Sequence, residues 1–268
     1  MDNTYKSDAC ELSISLVLFK NSPDMVTSLL QSILAESIDL KINLYVVDNS
    51  PNTFLSGIVH EFGGHYTSNS KNSGYSSAHN TAIFNSIPSR YHLIINPDVI
   101  VYPGSLKKLL QFMDDNNDIG IVVPRVLNTD GTDQFLNKRY PNVFDFFIRR
   151  FLPYFLRNTI FKDRIKHYEM HDIGYDSICD VESISGCFMF CRADILKKIG
   201  GFDTRFFMYL EDYDLSRKVQ NAGYRTVYFP DAIITHAWER ASHKSLKMTL
   251  CHIQSAVKYF NKWGWNFW

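Results

Sequence analysis

Residues 41–52, KINLYVVDNSPN, decide the fold class. The apolar first part has the length of a buried strand, and it ends at Asp48 in a cluster of turn-forming residues. A second apolar run, ISLVLF (14–19), precedes it, and a helical segment over 25–36 separates the two. Apolar strands that alternate with helices predict an α/β fold with a mostly parallel sheet, covered by helices on both faces.

The alternation continues through the rest of the chain. Further elements are predicted, in chain order, as a helix at 54–62, a strand at 65–67, a helix at 75–86, a strand at 91–95, a helix at 104–115, strands at 121–127 and 183–191, helices at 193–199 and 212–222, a strand at 225–235 and a last amphipathic helix at 243–262. Ligands of open α/β sheets bind at the carboxyl ends of the strands. Asp48 and the turn Asn96-Pro97-Asp98 follow two predicted strands, so both are expected near a ligand.

Composition excludes several classes of protein. The 268 residues hold 28 Lys+Arg against 28 Asp+Glu, and this zero net charge argues against a nucleic-acid-binding protein. With 45% hydrophobic residues and no flexible linker or internal repeat, we expect one domain over 1–268. The five cysteines are an odd number, the amino terminus lacks a secretory signal pattern, and no apolar run is long enough to span a bilayer. A cytoplasmic location with peripheral membrane contact is therefore expected.

Residues 138–167 form a basic, aromatic insert. They contain eight Lys/Arg and two Asp, a local charge of +6, with Phe144, Phe147, Phe151 and Phe155 at helical spacing and interrupted by Pro153. Basic residues interleaved with aromatic ones are typical of a segment that lies on an anionic membrane surface. The alternative is a pair of helices packed on the domain with its cations in solvent.

Several acids have an ordinary structural interpretation when taken alone. Asp48 and Asp98 are common turn formers. Glu211, Asp212 and Asp214 suit the amino-terminal turn of a helix, where Asp214 is spaced to pair with Arg217 or Lys218. Spacing alone therefore does not separate these structural roles from catalytic ones.

Five motifs in fixed order favour the catalytic interpretation. They are VVDNSPN (46–52), NSGYSSAHN (72–80), INPDVIV (95–101), SGCFMFCRADILKKIGGFDTRFFMYLEDYDLSRKVQNAGY (185–224) and ITHAWERAS (234–242). With them, the chain resembles the family 2 inverting glycosyltransferases of the GT-A fold, a Rossmann-like nucleotide-sugar fold, and most closely their bacterial rhamnosyltransferase branch. The resemblance runs over residues 13–262.

The resemblance implies a donor-binding role for residues of the first two motifs. Asp48 matches the acid that accepts a hydrogen bond from the nucleotide base. Asn72, Gly74, Tyr75 and Asn80 match the stretch beside the base and ribose, with a simple helix cap as the alternative.

The resemblance also implies a divalent cation, Mg²⁺ or Mn²⁺. Asn96-Pro97-Asp98 takes the place of the family's Asp-x-Asp metal motif, with Asn96 in place of the first acid and Asp98 as the metal ligand. His236 matches a histidine that contacts the metal or the diphosphate. Arg240 and Ser242 follow it, and Arg240 is a candidate clamp on the donor diphosphate, with a solvent-exposed loop arginine as the alternative.

For the reaction itself, Asp212 matches the family's catalytic base, and Glu211 is placed on the acceptor side. Ser185 and Gly186 match a small-residue floor close to the sugar, with packing alone as the alternative. Thr204 stands where many relatives have Glu, so the acceptor preference of those relatives is not carried over to this chain.

Together these matches divide the chain into a nucleotide-sugar-binding half (13–100), a metal and acceptor half with the insert (101–242) and a C-terminal helix (243–268). The implied reaction moves L-rhamnose from dTDP-β-L-rhamnose to a lipid-linked saccharide in O-antigen-type polysaccharide synthesis, on the inner face of the cytoplasmic membrane. A UDP-sugar donor, such as a galactofuranosyl donor, is the alternative enzyme, and a catalytically silent glycan-binding relative is the alternative of another class. The acceptor sugar, the linkage, the preferred metal and the oligomeric state do not follow from the sequence.

Overall fold

The computed structural model describes residues 10–36, 40–237 and 246–268. Its strands are β1 (Cys10–Leu18), β2 (Ile42–Asp48), β3 (His65–Ser68), β4 (Ser89–Ile95), β5 (Val99–Val101), β6 (Ile119–Leu127), β7 (Cys179–Asp180), β8 (Phe188–Arg192) and β9 (Arg225–His236). Its helices are α1 (Pro23–Glu36), α2 (Ser56–Glu61), α3 (Tyr75–Asn85), α4 (Ser105–Asp115), α5 (Val143–Phe151), α6 (Tyr154–Thr159), α7 (Lys162–Tyr168), α8 (Ala193–Lys198), α9 (Glu211–Asn221) and α10 (Leu246–Trp263), with a short 3₁₀ turn at His171–Ile173.

The strands of the described residues form one sheet in the order β3-β2-β1-β4-β8-β6-β9-β5, and β7 pairs with β9. The first four of these strands are mutually parallel, and β6 and β9 point the same way. Only β5, β7 and β8 run in the opposite direction. The prediction of an α/β fold with a mostly parallel central sheet is confirmed.

One predicted strand is shorter than expected. The run 183–191 was expected to be a strand throughout, but β8 begins only at Phe188. The peptide groups before it serve other partners, because Ser183 bridges to Lys138 and the Gly186 N–H turns toward Asp212. Antiparallel insertion of β8 between β4 and β6 was not expected from the alternating pattern.

The core lies on both faces of β1, at the centre of the parallel half. Leu12, Ile14, Leu16 and Leu18 are fully buried on one face, under the apolar side of α1 and α4. On the other face, α3 packs through Ala78 and Ala82 against β2. This packing fixes the carboxyl ends of the central strands and the amino terminus of α3 relative to one another.

A separate apolar cluster joins the last helix to the body of the protein. It contains Tyr213, Tyr259 and Phe260, with Phe146 of α5 packed against it. The Asp214 carboxylate is fully buried. It accepts a hydrogen bond from Trp263 Nε1 at 2.8 Å and forms an ion pair with Lys262. The expected partners of Asp214 on its own helix are therefore replaced by α10, which covers that side of α9.

Among the described residues, none of the helices combines the length and the apolar character that crossing a membrane requires. All five cysteines are free thiols.

Candidate functional site

Asp98 and His236 meet at one edge of the sheet. Asp98 lies in the turn after β4, and His236 ends β9, whose last residue pairs with Val99. The His236 Nε2 atom lies 3.3 Å from Asp98 Oδ2, and both side chains are largely buried. The Asp98 carbonyl also accepts a hydrogen bond from the Ala237 N–H at 3.0 Å, so the backbone holds the two residues together.

Gln134 fixes the orientation of the His236 ring. The Gln134 amide nitrogen donates to the His236 carbonyl at 2.6 Å, so its oxygen faces His236 Nδ1 at 3.0 Å. An amide oxygen only accepts, and Nδ1 therefore carries the proton. The other ring nitrogen, Nε2, faces Asp98, and a hydrogen bond at Nδ1 of this kind is how a second residue orients a metal-ligating histidine.

Asp98 and His236 fit a divalent cation that is shared with a ligand. Within 10–36, 40–237 and 246–268, no group of three or more His, Cys, Asp or Glu side chains is placed to hold a metal. One carboxylate oxygen and one imidazole nitrogen would leave most positions to diphosphate oxygens and water, as is common for Mg²⁺. Asn96 lies half-buried in the same turn.

Asp212 receives two backbone hydrogen bonds in the first turn of α9. Its Oδ2 accepts from the Gly186 N–H at 3.2 Å, and its Oδ1 accepts from the Tyr213 N–H at 2.9 Å. Burial raises the pKa of Asp212, while the Lys138 ammonium and these N–H groups act against the rise.

Glu211 is in a different environment from its neighbour. It is buried, and its Oε2 has no hydrogen-bond partner. Burial, followed by repulsion from Asp212, raises the pKa of Glu211 well above its usual value. The Lys138 ammonium and two N–H donors oppose the rise at Asp212, whereas repulsion from Asp212 adds to the rise at Glu211, so the two neighbouring carboxyl groups lie in different environments.

The backbone before this pair is constrained. Tyr209 and Leu210 adopt φ values of 74° and 65°, in the left-handed region that side chains with a Cβ rarely occupy. Such conformations persist where surrounding contacts hold them, and they concentrate at functional sites. The Ser255 hydroxyl of α10 donates to the Met208 carbonyl at 2.8 Å and is one such contact.

One stretch of backbone connects the two ends of the site. The Gly186 N–H binds Asp212, and the carbonyl of the next residue, Cys187, accepts from the Asn96 N–H at 2.9 Å. Burial, and then Asp98 and Asp212, raise the pKa of the Cys187 thiol to about 12, which places both carboxylates near this residue. The predicted base and the predicted metal turn therefore lie on either side of residues 186–187.

The amino terminus of α3 touches the same backbone. The Tyr75 hydroxyl donates to the Gly186 carbonyl at 2.6 Å, and the backbone N–H of Tyr75 donates to the Phe207 carbonyl at 2.8 Å. Gly74 has φ of 84°, and a Cβ there would lie 2.5 Å from the Phe207 oxygen. The Asn72 side chain accepts from the Gly74 N–H at 2.9 Å and supports this turn.

Asn80 holds a neighbouring loop. Its Nδ2 donates to the Phe202 carbonyl and its Oδ1 accepts from the Phe202 N–H, both at 2.8 Å. Both groups of this amide thus bind backbone of the loop that leads to α9. Tyr75 and Asn80, expected beside the donor, make their described contacts with loops on the Asp212 side.

Asp48 lies at the end of β2 with only 1% of its surface exposed. Its Oδ1 accepts from the Ser50 N–H and its Oδ2 from the Tyr66 hydroxyl, each at 2.8 Å. Each carboxylate oxygen retains a second lone pair, so base recognition remains compatible with these bonds. The Tyr66 contact was not predicted, because it joins neighbouring strands that are distant in the sequence.

The remaining predicted residues have simple placements. Ser185 is half-buried, with its hydroxyl 3.5 Å from the Cys187 N–H. A Cβ on Gly186 would lie 3.3 Å from the Tyr75 hydroxyl and 3.6 Å from Asp212 Cβ, so a larger residue would crowd both. Arg240 and Ser242 lie outside the described residues.

Lys138 is an additional member of the site. Its backbone exchanges two hydrogen bonds with Ser183, which brings the start of the insert beside the Asp212 loop. Burial and repulsion by Arg149 lower the pKa of Lys138 to about 8, while Asp212 acts in the opposite direction. The sequence shows Lys138 only as one cation of a basic segment, because its proximity to Asp212 depends on tertiary pairing.

Comparison with known proteins gives the following relatives. The sequence model of the family described as "Glycosyltransferase like family 2" matches residues 17–251. An N-acetylglucosaminyl-diphospho-decaprenol L-rhamnosyltransferase of Mycobacterium tuberculosis is 28% identical over 54% of this chain and 46% of its own length. This match thus spans about half of the mycobacterial relative. The rhamnosyltransferase WbbL of Escherichia coli K12 is 23% identical over 91% of this chain and 90% of its own length.

Solved structures share the fold. The mannosyltransferase PcManGT from Pyrobaculum calidifontis, in complex with GDP-Man and Mn²⁺, superposes with a TM-score of 0.61 at 15% identity, over 95% of this chain and 65% of its own. GalNAc-T7, with UDP, GalNAc and Mn²⁺, superposes with a TM-score of 0.62 at 11% identity, over 86% of this chain and 44% of its own. These likenesses identify a GT-A fold. Together with the family match over most of the chain, they lead to one conclusion: the chain belongs to glycosyltransferase-like family 2.

Proposed function

We propose that this protein is a cation-dependent inverting glycosyltransferase with Asp212 as its catalytic base. The observation that carries this proposal is the arrangement around residues 186–187. A carboxylate held by two N–H donors lies on one side, and the Asp98–His236 pair lies near it on the other. In this proposal Asp212 accepts the proton, and Asp98 with His236 would hold the cation of the donor diphosphate.

The chemistry is a single displacement at the anomeric carbon. The acceptor oxygen bonds to C1 of the sugar, the bond from C1 to the β-phosphate oxygen breaks, and the acceptor proton passes to Asp212. Attack and departure on opposite faces invert the configuration at C1. A divalent cation held by Asp98 and His236 would offset the charge on the leaving diphosphate. Glu211, when protonated, donates a hydrogen bond to the acceptor.

The proposed donor is dTDP-β-L-rhamnose and the proposed acceptor is a lipid-linked saccharide, giving an α-linkage. Support comes from the relatives of M. tuberculosis and E. coli, which are named as rhamnosyltransferases, the first acting on a diphospho-decaprenol acceptor. In this proposal residues 13–100 bind the nucleotide sugar and 101–242 supply the metal and acceptor contacts. The enzyme then works at the inner face of the cytoplasmic membrane, where a lipid-linked substrate is accessible.

Asp212→Asn tests the assignment of the base. This change keeps the size of the side chain but removes the proton acceptor, so transfer is expected to fall by about 10²–10⁴-fold while donor binding persists. Unchanged turnover would refute the assignment, and wild-type protein with donor binding but no transfer would indicate a glycan-binding relative.

Saturation-transfer NMR with a set of nucleotide sugars and diamagnetic Mg²⁺ tests the donor. Saturation of dTDP-rhamnose alone is the expected result. Saturation of a UDP-sugar in its place would contradict the rhamnosyl assignment and leave the glycosyltransferase proposal standing.

A further inference from the structure

Most cations of the insert are used inside the protein. Lys138 is partly buried, where its backbone pairs with Ser183. The arginines and their partners are Arg139 on Asp172, Arg149 stacked on Tyr168, Arg150 on Thr249, Arg157 on the Arg149 carbonyl, and Arg164 on Asp145. Lys162 and Lys166 are the exposed members. The local charge of +6 therefore overstates the positive surface that the insert presents.

Part of the exposed surface of the insert is apolar. Phe147 and Phe151 lie one helical turn apart on α5, with their rings 5.5 Å from each other and each about half exposed. Beyond Pro153, which ends that helical run, Tyr154 is 73% exposed and Phe155 is 64% exposed. Soluble proteins rarely leave neighbouring aromatic side chains this exposed without a binding partner.

The start of α10 lies beside α5. Arg150, which stands between Phe147 and Phe151 in the sequence, contacts Thr249 of α10. Leu246 and Leu250, one turn apart beside Thr249, are 85% and 60% exposed. We call Phe147, Phe151, Tyr154, Phe155, Leu246 and Leu250 the apolar surface.

The apolar surface is connected to the candidate site through the buried side of α5. The Arg149 guanidinium stacks 4.6 Å from the centre of the Tyr168 ring, and the Tyr168 hydroxyl lies 2.5 Å from that of Tyr213. Tyr213 follows Asp212 directly in the chain. The helix that carries Phe147 and Phe151 on its exposed side therefore contacts, on its buried side, the residue next to Asp212 through Tyr168.

We propose that the apolar surface inserts into the lipid bilayer that holds the acceptor, and that apolar insertion rather than the basic residues supplies most of the binding. The inference rests on the proposed lipid-linked acceptor. A bilayer fits the composition, since Tyr and Phe beside Leu, flanked by exposed lysines, suit the boundary between headgroups and acyl chains. Lys162 and Lys166 add only a weak attraction to anionic headgroups.

Flotation of the full chain with phosphatidylethanolamine vesicles, with and without phosphatidylglycerol, tests this surface. Binding is expected with both compositions and is expected to survive high salt, which would abolish binding by exposed charges. Phe151→Glu with Phe155→Glu should weaken partition at least about tenfold, because each ring loses apolar burial. Leu250→Glu should also weaken it and tests the α10 part independently.

Two control variants complete the experiment. Ile178→Glu changes an apolar residue of similar exposure outside the apolar surface and should bind like wild type. Lys162→Glu with Lys166→Glu should cause a small loss, confined to anionic vesicles. Loss of binding in this lysine variant but not in the phenylalanine variant would overturn the proposal.

Light scattering on the same samples tests whether the apolar surface binds a second copy of the chain instead. A wild-type dimer that fails to bind vesicles and becomes monomeric with Phe151→Glu would assign the surface to a second copy and overturn the proposal. Flotation needs neither donor nor acceptor, so it is independent of the glycosyl-transfer assays. Vesicle binding without transfer from any donor would defeat the proposed function and leave the membrane surface intact.

Discussion

Replacing Tyr75 with Phe separates two roles that this residue can have. The hydroxyl donates to the Gly186 carbonyl at 2.6 Å, and the N–H of the same residue 186 binds Asp212. Removing this hydroxyl leaves a partly buried carbonyl without its donor, a cost near the lower end of about 1–3 kcal/mol, since water reaches part of this site. The ring should stay in place, since it packs against His79 and Phe202.

The consequence for catalysis follows from the backbone at Gly186. Its carbonyl belongs to the peptide group that follows the one whose N–H binds Asp212, so without the Tyr75 bond the backbone here is less fixed and holds ionised Asp212 less well. If about 1 kcal/mol of the loss reaches the transition state, kcat falls about fivefold. The pKa of Asp212, already raised by burial, rises further, and activity, which is lost as pH falls through that pKa, is lost at a higher pH.

Steady-state kinetics of Tyr75→Phe as a function of pH provides the assay. A lower kcat, an unchanged donor KM and a displaced acid limb are the expected results. Tyr91→Phe is the matched control, because Tyr91 is also buried and bonds through its hydroxyl, to Asp114, away from the site. The control should lose stability without a change in the pH profile. A raised donor KM with kcat intact would refute the positioning role and assign Tyr75 to direct donor contact.

Further predictions concern the metal end and the turn before α3. Gln134→Leu removes the acceptor of the His236 Nδ1 proton, so the affinity for Mn²⁺ in the presence of dTDP should fall about 10–100-fold. Titration followed by electron paramagnetic resonance measures this affinity. An affinity equal to that of the wild type would argue that His236 is not a ligand. Gly74→Ala places a Cβ against the Phe207 carbonyl at positive φ, and thermal unfolding should show a loss of more than about 1 kcal/mol. Gly57→Ala in α2, where a Cβ meets nothing within 4 Å, should instead stabilise by about 0.5–1 kcal/mol, and equal effects of the two changes would contradict the argument.

Sequence reasoning reached those parts of the site that depend on local order. A strand followed by polar residues places a side chain at the sheet edge, and Asp48 and Asp98 lie at the expected strand ends. Gln134 was not predicted, because it meets His236 across 102 positions of sequence and has no local motif. The antiparallel position of β8 was missed for a similar reason, since the pattern of apolar runs carries no strand direction.

The net charge of residues 138–167 did not predict the surface that this segment presents. The count for 138–167 is correct, but it does not show which cations find partners elsewhere in the chain. Arg139 pairs with Asp172, beyond the segment, and Arg164 pairs with Asp145 within it. Because such pairs neutralise part of the charge, the local count of +6 does not describe the surface of the insert.

The backbone at residues 186–187 has a further consequence for engineering this enzyme. Because peptide groups rather than side-chain rotamers bind both Asp212 and the Asn96 turn, the main chain would, in the proposed mechanism, set the spacing between proton removal and leaving-group departure. Libraries aimed at new donors or acceptors should therefore leave Ser185–Cys187 unchanged. Variation belongs in the 203–208 loop, outside that stretch of main chain.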